Sequence, residues 1–235
     1  MRGCLFVLLL AAALLAGVAW FGSGPIAATA IGAALGGSGY RAASTSITAT
    51  ADPPPRLLLG HADRVSITGS DVDWRALHAN RLSLTLDDAD LFRRSADRIR
   101  GSISGARLDD GSGGSVAATS IAVDGPADAA ATTIVVDPAA VRAAIISTAA
   151  SRFGISISDA LLVAPDRLRL VTPVGTLDGR LSINADGALV FDTRLGSVPI
   201  LTIDRSLPLR LRSVAVVDGA LRIDGVLDAE SLLGG

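Results

Sequence analysis

Residues Asp137–Phe153, DPAAVRAAIISTAASRF, form the one long helical signal after the N-terminus, and β-type alternation lies on both sides of it. Asp137 suits the N-cap, where its carboxylate can accept a first-turn N–H, and Pro138 suits the first helical position, where a missing N–H costs nothing. Gly154 suits a left-handed stop. Val141, Ile145, Ala149 and Phe153 recur every four residues, joined by Ile146 and Thr148, while Arg142, Ser147 and Ser151 fall mostly elsewhere on the wheel. One side of this helix therefore seeks apolar company, and the helix is read as the spine on which flanking strands assemble.

Those strands follow a period of two. Before the helix, Ser44, Ser46, Thr48 and Thr50 alternate with Thr45, Ile47 and Ala49, up to Asp52-Pro53-Pro54-Pro55, read as an extended polyproline segment. Val65 and Ile67 then oppose Arg64, Ser66 and Thr68; Leu82, Leu84 and Leu86 oppose Arg81, Ser83 and Thr85; Ile99 and Ile103 oppose Arg98, Arg100, Ser102 and Ser104. A turn is expected at residues 109–114, and Val116–Val123 is read as the last strand before the helix. After the helix, Leu168 and Leu170 alternate with arginines, Leu177, Leu181 and Ile183 with Asp178, Arg180 and Ser182, and Leu189, Phe191 and Leu195 with Val190, Asp192 and Arg194. Asp186-Gly187 and Asp218-Gly219 are hairpin dipeptides, the second joining Arg212–Val217 to Ala220–Val226. The expectation is an antiparallel meander of about nine strands.

The N-terminus is of another kind. Arg2 precedes an uninterrupted apolar run, Cys4–Phe21, in the manner of a secretory signal or a single anchor. Eighteen helical residues span roughly 27 Å, just short of a ~30 Å hydrocarbon core, so length does not choose between the two. Ala28-Thr29-Ala30 is the best small-x-small cleavage site but lies well beyond the run, which favours an uncleaved anchor. A break at Gly22–Pro25 and a second, small-residue helix to about Leu35 are expected next, with Gly32 and Gly36 packing closely on a sheet. The domain division is thus 1–24, signal anchor or signal peptide, and 25–235, a single domain large enough to bury a core without staples. Cys4, the lone cysteine, precedes the apolar run and so fits neither a disulfide nor a lipoprotein attachment.

Composition removes several functions. All 21 basic residues are arginine, the net charge is −2, and no basic cluster or aromatic ladder exists to follow a phosphate backbone, so no nucleic acid is expected. His61 and His78 lack a companion at metal-ligand spacing and are read as solvated loop residues. No G-x-S-x-G elbow or S-x-x-K pair occurs, so a hydrolase lacks its parts. Asp87, Asp88 and Asp90, and separately Asp109 and Asp110, carry oxygen ligands for a hard cation but miss the calcium-loop spacing. No enzyme activity, cofactor or metal is expected. What stands out is aliphatic sheet face in surplus over helix to cover it, and such a sheet must close, dimerise or hold an apolar ligand.

Three stretches resemble the LmeA-type phospholipid-binding family of bacterial cell-envelope proteins: the N-terminal anchor; Pro54-Pro55-Arg56-Leu57-Leu58-Leu59-Gly60 leading into residues 62–72, ADRVSITGSDV; and residues 207–221, LPLRLRSVAVVDGAL, with its Leu-Pro opening, Arg-rich strand and D-G hairpin. Three prolines stand where that family more usually carries aromatic and proline residues. The resemblance implies an α+β fold, an antiparallel and strongly curved sheet wrapped on one long and one short helix in the tubular lipid-binding manner, holding phospholipid without catalysis. It also implies a plasma-membrane anchored protein facing the periplasm or cell exterior, or one secreted after cleavage near Ala30. Strand parity and the helix stripe nominate Val65, Ile67, Leu82, Leu84, Leu86, Val141, Ile145, Phe153, Leu181, Ile183 and Phe191 as lipid-facing. The alternative is an anchored scaffold whose apolar sheet face docks an envelope partner.

Overall fold

The computed structural model describes residues 2–109, 115–153, 156–194, 196–204 and 207–234, apart from the side chains of residues 2–16, 18, 144, 147–153 and 232–234. The fold is mostly antiparallel sheet. Helix α1 (Arg2–Gly37) leads into β1 (Ser44–Thr50), a 3-10 turn (Pro54–Leu59), β2 (His61–Trp74), β3 (Leu77–Asp90), β4 (Ser95–Asp109), β5 (Ser115–Pro126) and β6 (Ala130–Val136). Helix α2 (Pro138–Phe153) follows, then β7 (Asp159–Val163), β8 (Arg167–Thr172), β9 (Gly175–Ile183), β10 (Leu189–Thr193), β11 (Gly196–Leu201), β12 (Leu209–Val217), β13 (Ala220–Leu227) and α3 (Ala229–Gly234).

The strands divide into two sheets rather than one. Eight form a large sheet in the order β1-β2-β3-β4-β5-β6-β13-β12, and five form a small one in the order β11-β10-β9-β8-β7. Neither sheet closes on itself: β1 and β12 each have one neighbour in the large sheet. Helix α2 links the sheets in sequence and touches both, against β5 and β13 on one side and β7 and β11 on the other. The Val216 N–H of β12 also donates to the Pro165 carbonyl in the β7–β8 turn at 2.6 Å. The last hairpin returns to the large sheet beside β6, so the small sheet is an excursion between β6 and β12.

Several sequence expectations hold. Asp137 Oδ1 accepts the Ala139 N–H at 2.8 Å, and Pro138 opens α2. Asp218 and Gly219 sit at φ +50° and +79°, the two positive values that a two-residue hairpin with the right-handed twist of its strands requires. Gly187, at φ +76°, ends a turn held by Asn184 Oδ1, which accepts the N–H groups of Asp186 and Ala188.

Others need correction. The prolines after Asp52 enter a 3-10 turn instead of an extended segment, because their fixed φ near −65° serves that turn equally well. The last strand before α2 is β6, whose Ala130–Val136 alternates in burial as cleanly as any other. The expected break at Gly22–Pro25 does not occur. Helix α1 runs unbroken through Pro25, and the Thr29 hydroxyl donates to the Pro25 carbonyl at 2.9 Å. This stretch packs against β1, with Gly24 beside the Ala49 carbonyl and Gly32 beside Ile47, whereas Gly36 has no neighbour at the position of a Cβ. Gly154, Leu195 and the turn at residues 110–114 lie outside the described residues, as do the side chains of most of Cys4–Phe21. Among the described residues no helix is long and apolar enough to cross a membrane.

The strands of the large sheet are longer than one alternation can explain. In β2 the buried residues include Val65 and Ile67, then Val72 and Trp74; in β3, Leu77 and Ala79, then Leu82 and Leu86; in β4, Ile99 and Ile103, then Ala106 and Leu108. Odd and even exchange at one height. There Asp71, Asn80, Gly105 and Thr119 drop out of the ladder, with Asp71 at φ +48° and Gly105 at +60°. A second such row is Asp63, Asp88 and Asp97, with Asp88 at φ +49°. An unpaired residue turns the strand and lets the next one face the same side again, so the inner face stays apolar over the whole strand length.

Candidate apolar groove

The inner face of the large sheet is incompletely filled. A chamber of about 80 Å³ lies against it, walled by side chains of β2 to β6, by Leu209 and Leu227 of the last hairpin, and by Leu35 and Tyr40 at the end of α1. No charged residue lines it. Tyr40 and Trp74 pack edge to face with ring centroids 6.0 Å apart, and the Tyr40 hydroxyl lies so close over Gly69 that any side chain there would collide with it at 2.3 Å. The Trp74 Nε1–H is buried with no acceptor among the described residues.

A groove of about 270 Å³ adjoins the chamber and shares Leu35, Ile67 and Leu86 with it. Its walls are the α1 face carrying Ile26, Ala27, Ala30, Ile31 and Ala34, the 3-10 turn at Leu57 and Leu58, and the β3–β4 turn from Asp90 to Arg94. Small side chains on α1 leave the width. A larger, shallower depression of about 610 Å³ lies on the other side of α1 towards β1, but its mixed lining, which includes Arg41, Thr29 and Thr45, provides no apolar enclosure.

The β3–β4 turn is fixed by Asp90, whose Oδ1 accepts the N–H groups of Phe92 at 3.0 Å and Arg93 at 2.9 Å. The Arg93 N–H foremost, then that of Phe92, holds the Asp90 carboxyl below its usual range against a smaller opposing effect of desolvation. On the outer face of the large sheet Asp87 bridges Arg64 and Arg100. Burial raises its pKa, yet the hydrogen bonds from Arg100 and Arg64 together leave it lowered. Asp87 and Asp90 thus already have donors, and no cluster of three or more metal-ligating side chains occurs among the described residues. His61 is exposed at the start of β2. His78, expected in a solvated loop, stands half-buried in β3 between Asp73 and Asp109, its ring nitrogens 3.3 and 3.2 Å from their carboxylates.

Of the nominated residues, Ile67, Leu82, Leu84 and Leu86 line the chamber, and Val65 lines the groove with Ile67 and Leu86. Val141, Ile145, Leu181, Ile183 and Phe191 line neither. Val141 and Ile145 are buried where α2 meets the two sheets, and the Phe191 ring covers Gly179 within the small sheet. The Phe153 side chain lies outside the described residues. The sequence reading missed the α1 wall, although Ala27, Ala30 and Ala34 recur at helical spacing, and missed Tyr40 and Trp74, two of the chain's few aromatics.

Searches against protein-family profiles, curated proteins and solved structures find no match. The likeness of residues 54–72 and 207–221 to the LmeA-type family therefore rests on those residues alone.

Proposed function

We propose that the protein is a non-enzymatic lipid-binding protein of the bacterial cell envelope, holding an acyl chain of a phospholipid along the groove with the chain end in the chamber. One observation supports this reading: an uncharged chamber under the large sheet lies beside a mainly apolar groove that shares Leu35, Ile67 and Leu86 with it. Size limits what is held. The chamber at about 80 Å³ is smaller than the ~150 Å³ void that admits benzene, so it takes a chain end and no more. The groove at about 270 Å³ approaches the ~300 Å³ at which ligand sites begin, which suits one acyl chain with its headgroup outside. At about 0.8 kcal/mol per buried methylene, eight methylenes contribute about 6 kcal/mol before the costs of binding.

The family resemblance supports the same ligand, although the two sheets here are open and do not form the tubular wrap expected from that resemblance. In this reading the Cys4–Phe21 run anchors the protein in the plasma membrane, and lipid exchanges between leaflet and groove without crossing bulk water. Extraction of the purified protein with chloroform and methanol tests it. Phospholipid is expected in the extract, and it should be lost from Ala34→Trp, which fills the groove from an exposed position on α1. A clean extract from the unaltered protein overturns the proposal in favour of an envelope scaffold.

A further inference from the structure

Ten large apolar side chains are exposed among the described residues, and six of them, Trp20, Phe21, Ile26, Leu58, Leu59 and Phe92, belong to the three elements that frame the groove. That is a concentration at one end, not a scatter. Phe92 is 75% exposed at the tip of the β3–β4 turn, yet it is held there firmly: Asp90 binds its N–H, and its ring lies over Gly60, where an added Cβ would collide at 2.4 Å. Leu59 projects from the neighbouring 3-10 turn at 67% exposure. Ile26 stands on the α1 wall, and Trp20 and Phe21 lie one to two turns upstream, about 8 Å along the axis.

Cations flank these side chains. Arg93 and Arg94 directly follow Phe92, and Arg56 precedes the leucines of the 3-10 turn. Arg94 makes no hydrogen bond or ion pair among the described residues, and Arg93 approaches Asp90 only at 3.7 Å with its side chain largely in solvent. Of the carboxylates around this turn, Asp90 is bound by the turn and Asp63 by Arg56 and the Asp52 N–H, while Asp88 and Asp97 are exposed further down β3 and β4.

We propose that this rim docks on a lipid bilayer bearing anionic headgroups, with Phe92, Leu58 and Leu59 entering the interface and Arg93 and Arg94 meeting lipid phosphates. The occupant follows from the position of the rim. Aromatic and aliphatic side chains beside arginine are the composition of a membrane-interface belt, and the rim continues along α1 into the Cys4–Phe21 run. The proposal deepens the acyl-chain reading, since it sets the open side of the groove against the leaflet that supplies the chain.

The test uses the full chain in phosphatidylcholine vesicles with and without phosphatidylglycerol, on a Cys4→Ser background. A nitroxide is attached at Phe92→Cys or Leu59→Cys, and at Val174→Cys, an exposed apolar site in the β8–β9 turn, for comparison. Power-saturation spectroscopy should show residues 92 and 59 several-fold more accessible to oxygen than to an aqueous nickel complex, and residue 174 the reverse. Nickel accessibility at residue 92 equal to that at residue 174 overturns the rim. Arg93→Glu with Arg94→Glu should make residue 59 shallower only where phosphatidylglycerol is present; an equal effect in both vesicles overturns the headgroup contact. Solvent extraction of the same purified proteins before they are added to vesicles separates the two proposals. Retained phospholipid with residue 92 in water refutes the rim alone, and an empty extract with residue 92 in the interface refutes the acyl-chain reading alone.

Discussion

The large and the small sheet are built from the same alternation of aliphatic and polar residues, yet the large one borders a chamber and the small one lines neither the chamber nor the groove. In the small sheet Leu168, Leu181 and Leu189 are almost wholly buried and the Phe191 ring fills the space above Gly179. Helix α2 packs against its β7 and β11, and β12 against its β9. The large sheet presents eight strands to a cover of α1, the 3-10 turn, α2, α3 and the segment around Leu207. Alternation makes an apolar face. Whether that face becomes core or cavity depends on how many side chains arrive from elsewhere.

The largest effect is expected where the two sheets meet. Ile145→Asp buries an unpaired carboxylate between them and should cost more than about 3 kcal/mol in chemical denaturation. Should the variant melt like the parent protein, α2 does not tie the sheets together. Next comes a direct comparison of the interiors. Leu181→Ala empties a close-packed site in the small sheet and should cost about 3 kcal/mol, whereas Leu82→Ala widens an existing void, loses fewer dispersion contacts, and should cost about 2 kcal/mol. Equal losses would mean that the large sheet is as solidly packed as the small one.

Surface changes should be smaller. Arg142 on α2 pairs with Asp159 in a half-exposed position, so Arg142→Asp should lower stability by only about 1 kcal/mol in the same measurement. The least effect is expected from pH, and it should touch both sheets alike. Asp87 in the large sheet and Asp178 in the small one, the latter chiefly through its hydrogen bond from Arg169, both have lowered pKa values. A carboxylate lowered on folding adds stability that is fully present above its unfolded pKa near 4 and is lost as pH falls through the folded value. Melting temperature should therefore be flat near neutrality and decline below about pH 4, less steeply in high salt. A rise on acidification would contradict the pairing on both outer faces.

Much of this was legible in the residues. The N-terminal cap of α2, the Asp218-Gly219 hairpin and the oily faces of β2 and β3 are local facts, set by side chains within a few positions of one another. The exchange of phase at Asp71, Asn80, Gly105 and Thr119 was not legible, because each residue is ordinary in its own strand and acquires meaning only beside its three neighbours. Read with a single phase, a fourteen-residue strand such as β3 looks shorter than it is. The site was half legible for the same reason. Parity identified Ile67, Leu82, Leu84 and Leu86, but the opposite wall comes from α1, which packs against β1 and the 3-10 turn far away in sequence. Val141 and Ile145 carry an equally good apolar stripe that serves a different contact.

The unbroken course of α1 through Pro25 makes it a single shaft keyed into the domain by its packing against β1 and the 3-10 turn. Each helical residue advances the chain by about 1.5 Å and turns it by about 100°, so upstream of the keyed section distance and angle are locked together. One residue inserted between Trp20 and Ser23 would therefore leave the height of the domain above the N-terminal end almost unchanged while swinging its open side about a quarter of the way around. Insertion of four residues would nearly restore the heading and lift the domain by about 6 Å. Bearing and reach can thus be set separately by counting residues in a single turn of helix.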